Sequence, residues 1–237
     1  MKFSKFTKAK SLSLANLLSL TDRALANELK ECDFRYISCI EDGVLGSENL
    51  IRCEIGSISY VLALLCKYTL NLNDGYFGSL DEGFLSGECN VGEEEFEELG
   101  EWLKDARNII IDSSFFTHPD SKMLFEFLEI LGKNVILVGG KEQGYETNGN
   151  LSELKELENF DGSIIYLDRK DSDEVVGGVQ FSIVAKVKDG DEVTLSAPNF
   201  SAKRKFRLDS GMKGTIAIVG MSEFEGYDFK LVKVSKS

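Results

Sequence analysis

NIIIDSSFFTHPDSKMLFEFLEILGKNVILV, residues 108–138, is the stretch on which the fold turns. Its two ends, NIIID at 108–112 and NVILV at 134–138, are short continuous apolar runs and read as strands buried on both faces. Between them Met123, Leu124, Phe127, Leu128 and Leu131 recur at helical spacing. Two parallel strands need a crossover of this length, so strand, helix, strand predicts a parallel sheet.

Reading outward keeps the same alternation. FRYISCI at 34–40 predicts a strand, and the apolar run after Gly56, SISYVLALLCKYTL, predicts a buried helix. The N-terminal stretch continues into TDRALANELKE, residues 21–31, which reads as an amphipathic helix. Downstream, a helix is expected around residues 151–157 and a further buried strand in SIIYL at 163–167. After Asp168 the pattern changes. Strand-like runs at 180–187, 192–196, 203–208, 214–219 and 227–234 are separated by turn signals at Asp189-Gly190, Ser210-Gly211 and Glu225-Gly226. The expected fold class is therefore α/β: a parallel-sheet α/β domain over residues 1–170, followed by a small β-barrel-like domain over 171–237.

The balance of 27 basic against 40 acidic residues gives a net charge of -13, which opposes binding to nucleic acid or to an anionic membrane surface. No apolar run reaches the ~18 to 20 residues that cross a bilayer, and the basic start lacks the cleavage pattern of a signal peptide. A cytoplasmic protein with no direct membrane insertion is expected. Cysteines at 32, 39, 53, 66 and 89 form neither a disulfide framework nor a CxxC pair, so reduced thiols are expected, with Cys89 the most exposed. Charge is uneven: residues 81–101 carry nine carboxylates and no Lys or Arg. Within that run Glu93, Glu94, Glu95, Glu97 and Glu98 lie on a predicted helix and are candidates for docking a basic partner, against the plainer reading of solvated surface.

No complete catalytic constellation is visible. His118, the single histidine, stands in DSSFFTHPD beside serines and aspartates, but no GxSxG elbow presents a nucleophile. A loop followed by a helix start at Pro119 explains the same residues. The dispersed cysteines offer no zinc or iron–sulfur spacing, and neither GxGxxG nor GxxxxGK[ST] occurs. Gly139-Gly140 follows a buried strand, where an open α/β sheet can admit a ligand to its backbone or simply turn. No catalytic, cofactor-binding or metal residues are assigned, and no cofactor is expected.

AKVKDGDEVTLSAPNFSAKRKFRLDSGMKGTIAIVG, residues 185–220, resembles the closing β-barrel segment of molybdopterin-type oxidoreductases in the order basic residue, DGDxVxL, charged strand, glycine-led apolar strand. IRCEIGSISYVLALLCKYTL, LDEGFLSGECNVGEEEFEEL and the strand, HP, helix, GKNVILVGG succession are similar to one branch of that family. It is the large iron–sulfur subunit of respiratory NADH–quinone oxidoreductase, complex I, of epsilonproteobacterial type. The closely spaced cysteines of that subunit's cluster-binding region have no counterpart among the five here, so no redox ligand carries over to any residue. The resemblance implies a non-catalytic or accessory subunit. Its partners would be other subunits of a respiratory quinone oxidoreductase and a small electron-donor protein, at the cytoplasmic face of the inner membrane. Alternatives are a free-standing α/β enzyme or small-molecule binder using the Gly139 edge, and a remnant holding part of a pterin nucleotide with a partner chain.

Overall fold

The computed structural model describes residues 1–236 and divides the chain into two compact units, Met1–Leu157 and the segment from Glu158 onward. The first unit is built on a five-stranded sheet. Its elements in chain order are β1 (Ser11–Ser13), α1 (Leu18–Thr21), α2 (Arg23–Leu29), β2 (Phe34–Ser38), β3 (Leu50–Arg52), α3 (Ile58–Leu70) and α4 (Gly75–Gly78). Then come α5 (Glu82–Cys89), α6 (Glu93–Lys104), β4 (Asn108–Asp112), α7 (Ser114–Thr117), α8 (Ser121–Leu131) and β5 (Asn134–Val138). Every strand pairing is parallel, in the order β3-β2-β1-β4-β5.

Both faces of this sheet are covered, which is why β4 and β5 read as nearly unbroken apolar runs. One face carries Leu12, Ile37, Ile109, Ile111 and Val135 against α3 and α8. The other carries Phe34, Tyr36, Ile110, Ile136 and Val138 against Leu18, Leu25, Ala26 and Leu29 of α1 and α2. Helix α3 is buried at every position from Tyr60 to Cys66 because it packs on α5 and α6 as well as on α8. The helix ends follow from local chemistry. Asp22 accepts a hydrogen bond from Leu25 N–H at 3.0 Å and Asp81 one from Phe84 N–H at 3.0 Å, each cap contributing about 1 kcal/mol. Gly132 stops α8 at φ +63°, a conformation that favours glycine.

The second unit contains β6 (Ile164–Asp168), β7 (Glu174–Gly177), α9 (Val179–Ala185), β8 (Glu192–Ala197), β9 (Phe200–Leu208), β10 (Ile216–Gly220), β11 (Phe229–Leu231) and β12 (Lys233–Lys236). Its sheet runs β11-β6-β10-β7-β9-β8-β12, with β6 parallel to β10 and β7 parallel to β9. The two edges are joined by one stretch of chain: residues 229–231 pair with β6 and residues 233–236 with β8. A sheet whose edges share a single run of backbone is nearly closed, and a barrel-like core of Ile165, Leu167, Phe181, Val193, Phe206 and Val219 fills it.

Several sequence expectations are corrected. Residues 163–167 do not extend the first sheet; β6 pairs with β10 and β11, so the division falls at Leu157 rather than at residue 170. Residues 151–157 are not helical. Leu151, Leu154 and Leu157 pack on the first core from a strap held by buried carboxylates. Glu126 accepts from Asn148 and Gly149 N–H at 2.8 and 3.0 Å, and Asp120 accepts from Lys155 N–H at 3.3 Å. The expected strand at 180–187 is mostly helix α9, whose Phe181 plugs the barrel beside Phe206. The helix expected over residues 21–31 is α2, whereas SLS at 11–13, not assigned from sequence, is the central strand with Ser11 and Ser13 fully buried.

Candidate functional site

From β1 the chain crosses to β2 on one side, and from β4 it crosses to β5 on the other, so the strand order reverses between β1 and β4. In open α/β sheets the crevice outside the carboxyl ends at such a reversal is where ligands enter. Here the chain's own groups occupy it. Asp112, the last residue of β4, accepts four hydrogen bonds: from Asn16 N–H at 2.8 Å, Asn16 Nδ2 at 3.3 Å, Ser114 N–H at 3.0 Å and Ser114 Oγ at 2.5 Å. Asn16 Nδ2 also donates to Ser114 Oγ at 3.0 Å, and Asn16 O accepts from Ser38 Oγ at 2.9 Å. The loop after β1 is thus tied to both neighbouring strands. Burial pushes the Asp112 carboxyl above its ordinary value, and the four hydrogen bonds oppose that shift.

The glycines after β5 are likewise engaged internally. A Cβ on Gly139 would stand 2.6 Å from Thr21 Cγ2, and Gly139 has φ +69°. Thr21 therefore covers the backbone that the free-standing-binder reading would give to a ligand. On the other flank Asp42, almost wholly buried in the connection from β2 to β3, accepts from Ser19 N–H at 2.7 Å, Val44 N–H at 2.8 Å and Leu45 N–H at 3.2 Å. Asn16, Asp42, Asp112 and Thr21 together make the carboxyl edge a braced surface.

His118 is 5% exposed and both ring nitrogens are used. Nδ1 accepts from Asp120 N–H at 2.9 Å, so Nε2 carries the proton and donates to Gly56 O at 2.9 Å. Burial lowers its pKa, and the ring ties α8's start to the turn before α3. Of the groups beside it, the Ser114 hydroxyl donates to the Asp112 carboxylate and the Ser121 N–H to His118 O at 3.0 Å.

The five docking candidates all lie exposed on α6, whose buried side presents Phe96, Leu99 and Leu103. They are not equivalent. Glu95 accepts from Gly92 N–H at 2.9 Å and caps the helix, while Glu98 pairs with Arg35 Nη2 at 2.5 Å. Two clefts flank the helix. One, of about 390 Å³, is lined by Lys67, Tyr68, Asn71, Asn73, Glu82, Glu97 and Glu101; the other, of about 230 Å³, is lined by Arg35, Glu48, Asn49, Leu50, Ile51, Glu95 and Glu98. Lys67 is held inside the first by Glu82 at 2.9 Å and Phe77 O at 2.8 Å. From Glu158 onward thirteen acidic residues face twelve basic ones, so the net charge of -13 belongs almost entirely to the α/β unit.

Cys89 departs from expectation: it is fully buried, and burial pushes its thiol up to about 11. Cys32 and Cys39 are the partly exposed cysteines. Among the described residues no three His, Cys, Asp or Glu side chains gather in a metal-binding arrangement, and no helix is long and apolar enough to cross a membrane. No protein-family model and no curated protein matches the chain.

Proposed function

We propose that this chain is a non-catalytic or accessory subunit of a complex I-like NADH–quinone oxidoreductase, peripheral to the cytoplasmic face of the membrane through its partners. Electron transfer to quinone and proton translocation belong to the assembly; this chain supplies surface for neighbouring subunits or a small electron-donor protein. The observation that carries this reading is the filled carboxyl edge. Where a doubly wound sheet would take a nucleotide or substrate, Asp112, Asn16 and Ser114 satisfy one another and Thr21 lies against Gly139. A site spent on its own hydrogen bonds favours recognition through the outside, and the helix α6 offers five exposed glutamates with a cleft on either flank. The succession of a parallel α/β unit and a barrel-like unit also agrees with the family resemblance of residues 185–220.

Affinity purification from native membranes tests the proposal. The tagged chain is expected to bring down iron–sulfur proteins of a quinone oxidoreductase, in an amount that falls as salt is raised. Recovery as a free protein, with turnover of its own on a small substrate, would overturn it.

A further inference from the structure

Strands β2 and β3 run side by side with Tyr36 opposite Leu50, Ile37 opposite Ile51 and Ser38 opposite Arg52. The ladder continues by one hydrogen bond, from Cys53 N–H to Ser38 O at 3.3 Å. That bond belongs to the Ser38–Arg52 pairing, so Cys39 and Cys53 are the next residue on each chain, side by side just beyond the last paired position. Ile37 and Ile51 pack with the core under α3, two residues before Cys39 and Cys53 respectively, and Cys53 is itself part of that core. Each cysteine follows its strand by one residue, and the Cys53 thiol lies close enough to raise the pKa of the Cys39 thiol, so the two are neighbours. Adjacent strands lie ~4.8 Å apart, inside the ~4.4 to 6.8 Å between Cα atoms that a disulfide spans. Both cysteines are free thiols.

A third thiol is nearby but turned away. Glu54 N–H donates to Cys89 O at 3.0 Å, which brings the end of α5 to Cys53, yet Cys89 Sγ is directed to Ser86 O at 3.5 Å. Cys39, one residue past the end of the neighbouring strand, is the other thiol beside Cys53.

We propose that Cys39 and Cys53 are an oxidation site that closes to an intramolecular disulfide on reaction with a small-molecule disulfide of the glutathione type. The thiolate of one cysteine attacks a sulfur of the oxidant, forming a mixed disulfide and releasing one thiolate. The second cysteine loses its proton and attacks the protein sulfur of that mixed disulfide, and the second glutathione thiolate leaves. Two protein thiols are oxidised to one S–S bond, and the oxidant is reduced to two thiols. The bond would close residues 39–53 into a ring. That ring contains Asp42, whose carboxylate holds the start of α1 at Ser19 N–H. Oxidation would thus stiffen the edge of the sheet where the connection from β2 to β3 meets α1.

Burial sets the rate. It raises the Cys39 thiol well above its ordinary value and the Cys53 thiol to about 12, so little thiolate exists near neutrality and the first attack is slow. Over pH 7 to 9 the rate is expected to rise about tenfold per pH unit, following the thiolate fraction. The site is independent of the function proposed above.

The test is to hold the folded, reduced chain with oxidised glutathione at mildly alkaline pH, block remaining thiols, and map peptides without reduction. The expected product has lost two hydrogens and contains one peptide joining the Cys39 and Cys53 segments. Cys53→Ala should abolish it and Cys89→Ser should leave it unchanged. If Cys53→Ala does not fold, Cys39→Ser at the partly exposed position serves the same purpose. A lasting glutathione adduct on either cysteine, a Cys53–Cys89 link, or no oxidation while near-ultraviolet circular dichroism shows the native fold would each overturn the proposal.

Discussion

Thr21 Cγ2 occupies the space into which a side chain on Gly139 would grow, 2.6 Å from the position of its Cβ. The contact joins the end of α1 to the turn after β5 and closes that part of the carboxyl edge. Gly139→Ala should destabilise the protein by about 1 to 3 kcal/mol, through both the steric conflict and the positive φ of +69°. Adding Thr21→Ser removes the methyl and should recover the steric share while leaving the backbone share. Chemical denaturation of both variants checks this, read through Trp102, the single tryptophan, which lies in the α/β unit. Equal losses in the single and double variants would show that the contact is not the cause.

His118 gives a pH dependence with a definite sign. Burial lowers its folded-state pKa below the ordinary 6.5, so the unfolded chain binds its proton more readily. The resulting stability is present above pH 6.5 and is lost as pH falls through the lowered folded value. His118→Gln, which keeps a donor toward Gly56 O but does not titrate, should flatten the decline in stability between about pH 7 and 5. Because the chain has one histidine, its ring proton resonance reports the titration directly. A midpoint above 6.5 in the folded protein would contradict the assignment.

The acidic ridge separates into structural and free carboxylates. Glu95→Ala should cost the end of α6 its cap, on the order of 0.5 to 2 kcal/mol, because Gly92 N–H then loses its acceptor. Replacing Glu93, Glu94 and Glu97 by Gln should leave the fold intact or slightly more stable, since like charges on one helix repel. If α6 docks a basic neighbour, the triple variant should associate more slowly and with a shallower salt dependence. Association rates at low and moderate ionic strength, measured with the co-purified partner, decide the matter; unchanged rates would return the ridge to solvated surface.

The legible parts of the fold are those where burial alone dictates residue type. NIIID and NVILV become strands and the apolar run of α3 a helix, because elements enclosed on both sides tolerate little else. The central strand was hidden because Ser11 and Ser13 are small polar residues in a fully buried place; Ser11 Oγ donates to the nearby Ala9 O and accepts from Asn108 Nδ2, a partner that only the tertiary structure supplies. Leu151, Leu154 and Leu157 mimic a helix because a spacing of three fits an apolar stripe, while Asp120 binds the backbone of that segment at Lys155 and Glu126 binds the turn before it at Asn148 and Gly149. Asn16 and Asp112 could not be linked from sequence, since they are 96 positions apart and meet only when β1 lies beside β4.

That meeting carries the last prediction. Asp112 offers one carboxylate to two N–H groups of the main chain and two side-chain donors, and it is 3% exposed. Asp112→Ala would leave the N–H groups of Asn16 and Ser114 without this acceptor, at roughly 1 to 3 kcal/mol for each buried group left unpaired. A combined loss of several kcal/mol is expected, large against the ordinary stability of a domain. Asp112→Asn is the informative companion. It keeps the shape and one acceptor oxygen but turns an amide toward donors, so it should still destabilise, though less than alanine. Its pH response should also change. Because burial raises the Asp112 pKa, the protonated form is relatively favoured in the folded state, and that contribution is lost as pH rises above 3.8 through the folded value. The asparagine variant lacks this ionisation, so its deficit relative to the parent should vary with pH across that interval. Denaturation curves at pH 4, 5 and 7 (on the order of the interval concerned) read both effects. If Asp112→Ala instead proved neutral in stability and opened a binding site for a small anion or nucleotide, the carboxyl edge would be a ligand site in waiting, and the reading of this chain as an accessory subunit would lose its principal support.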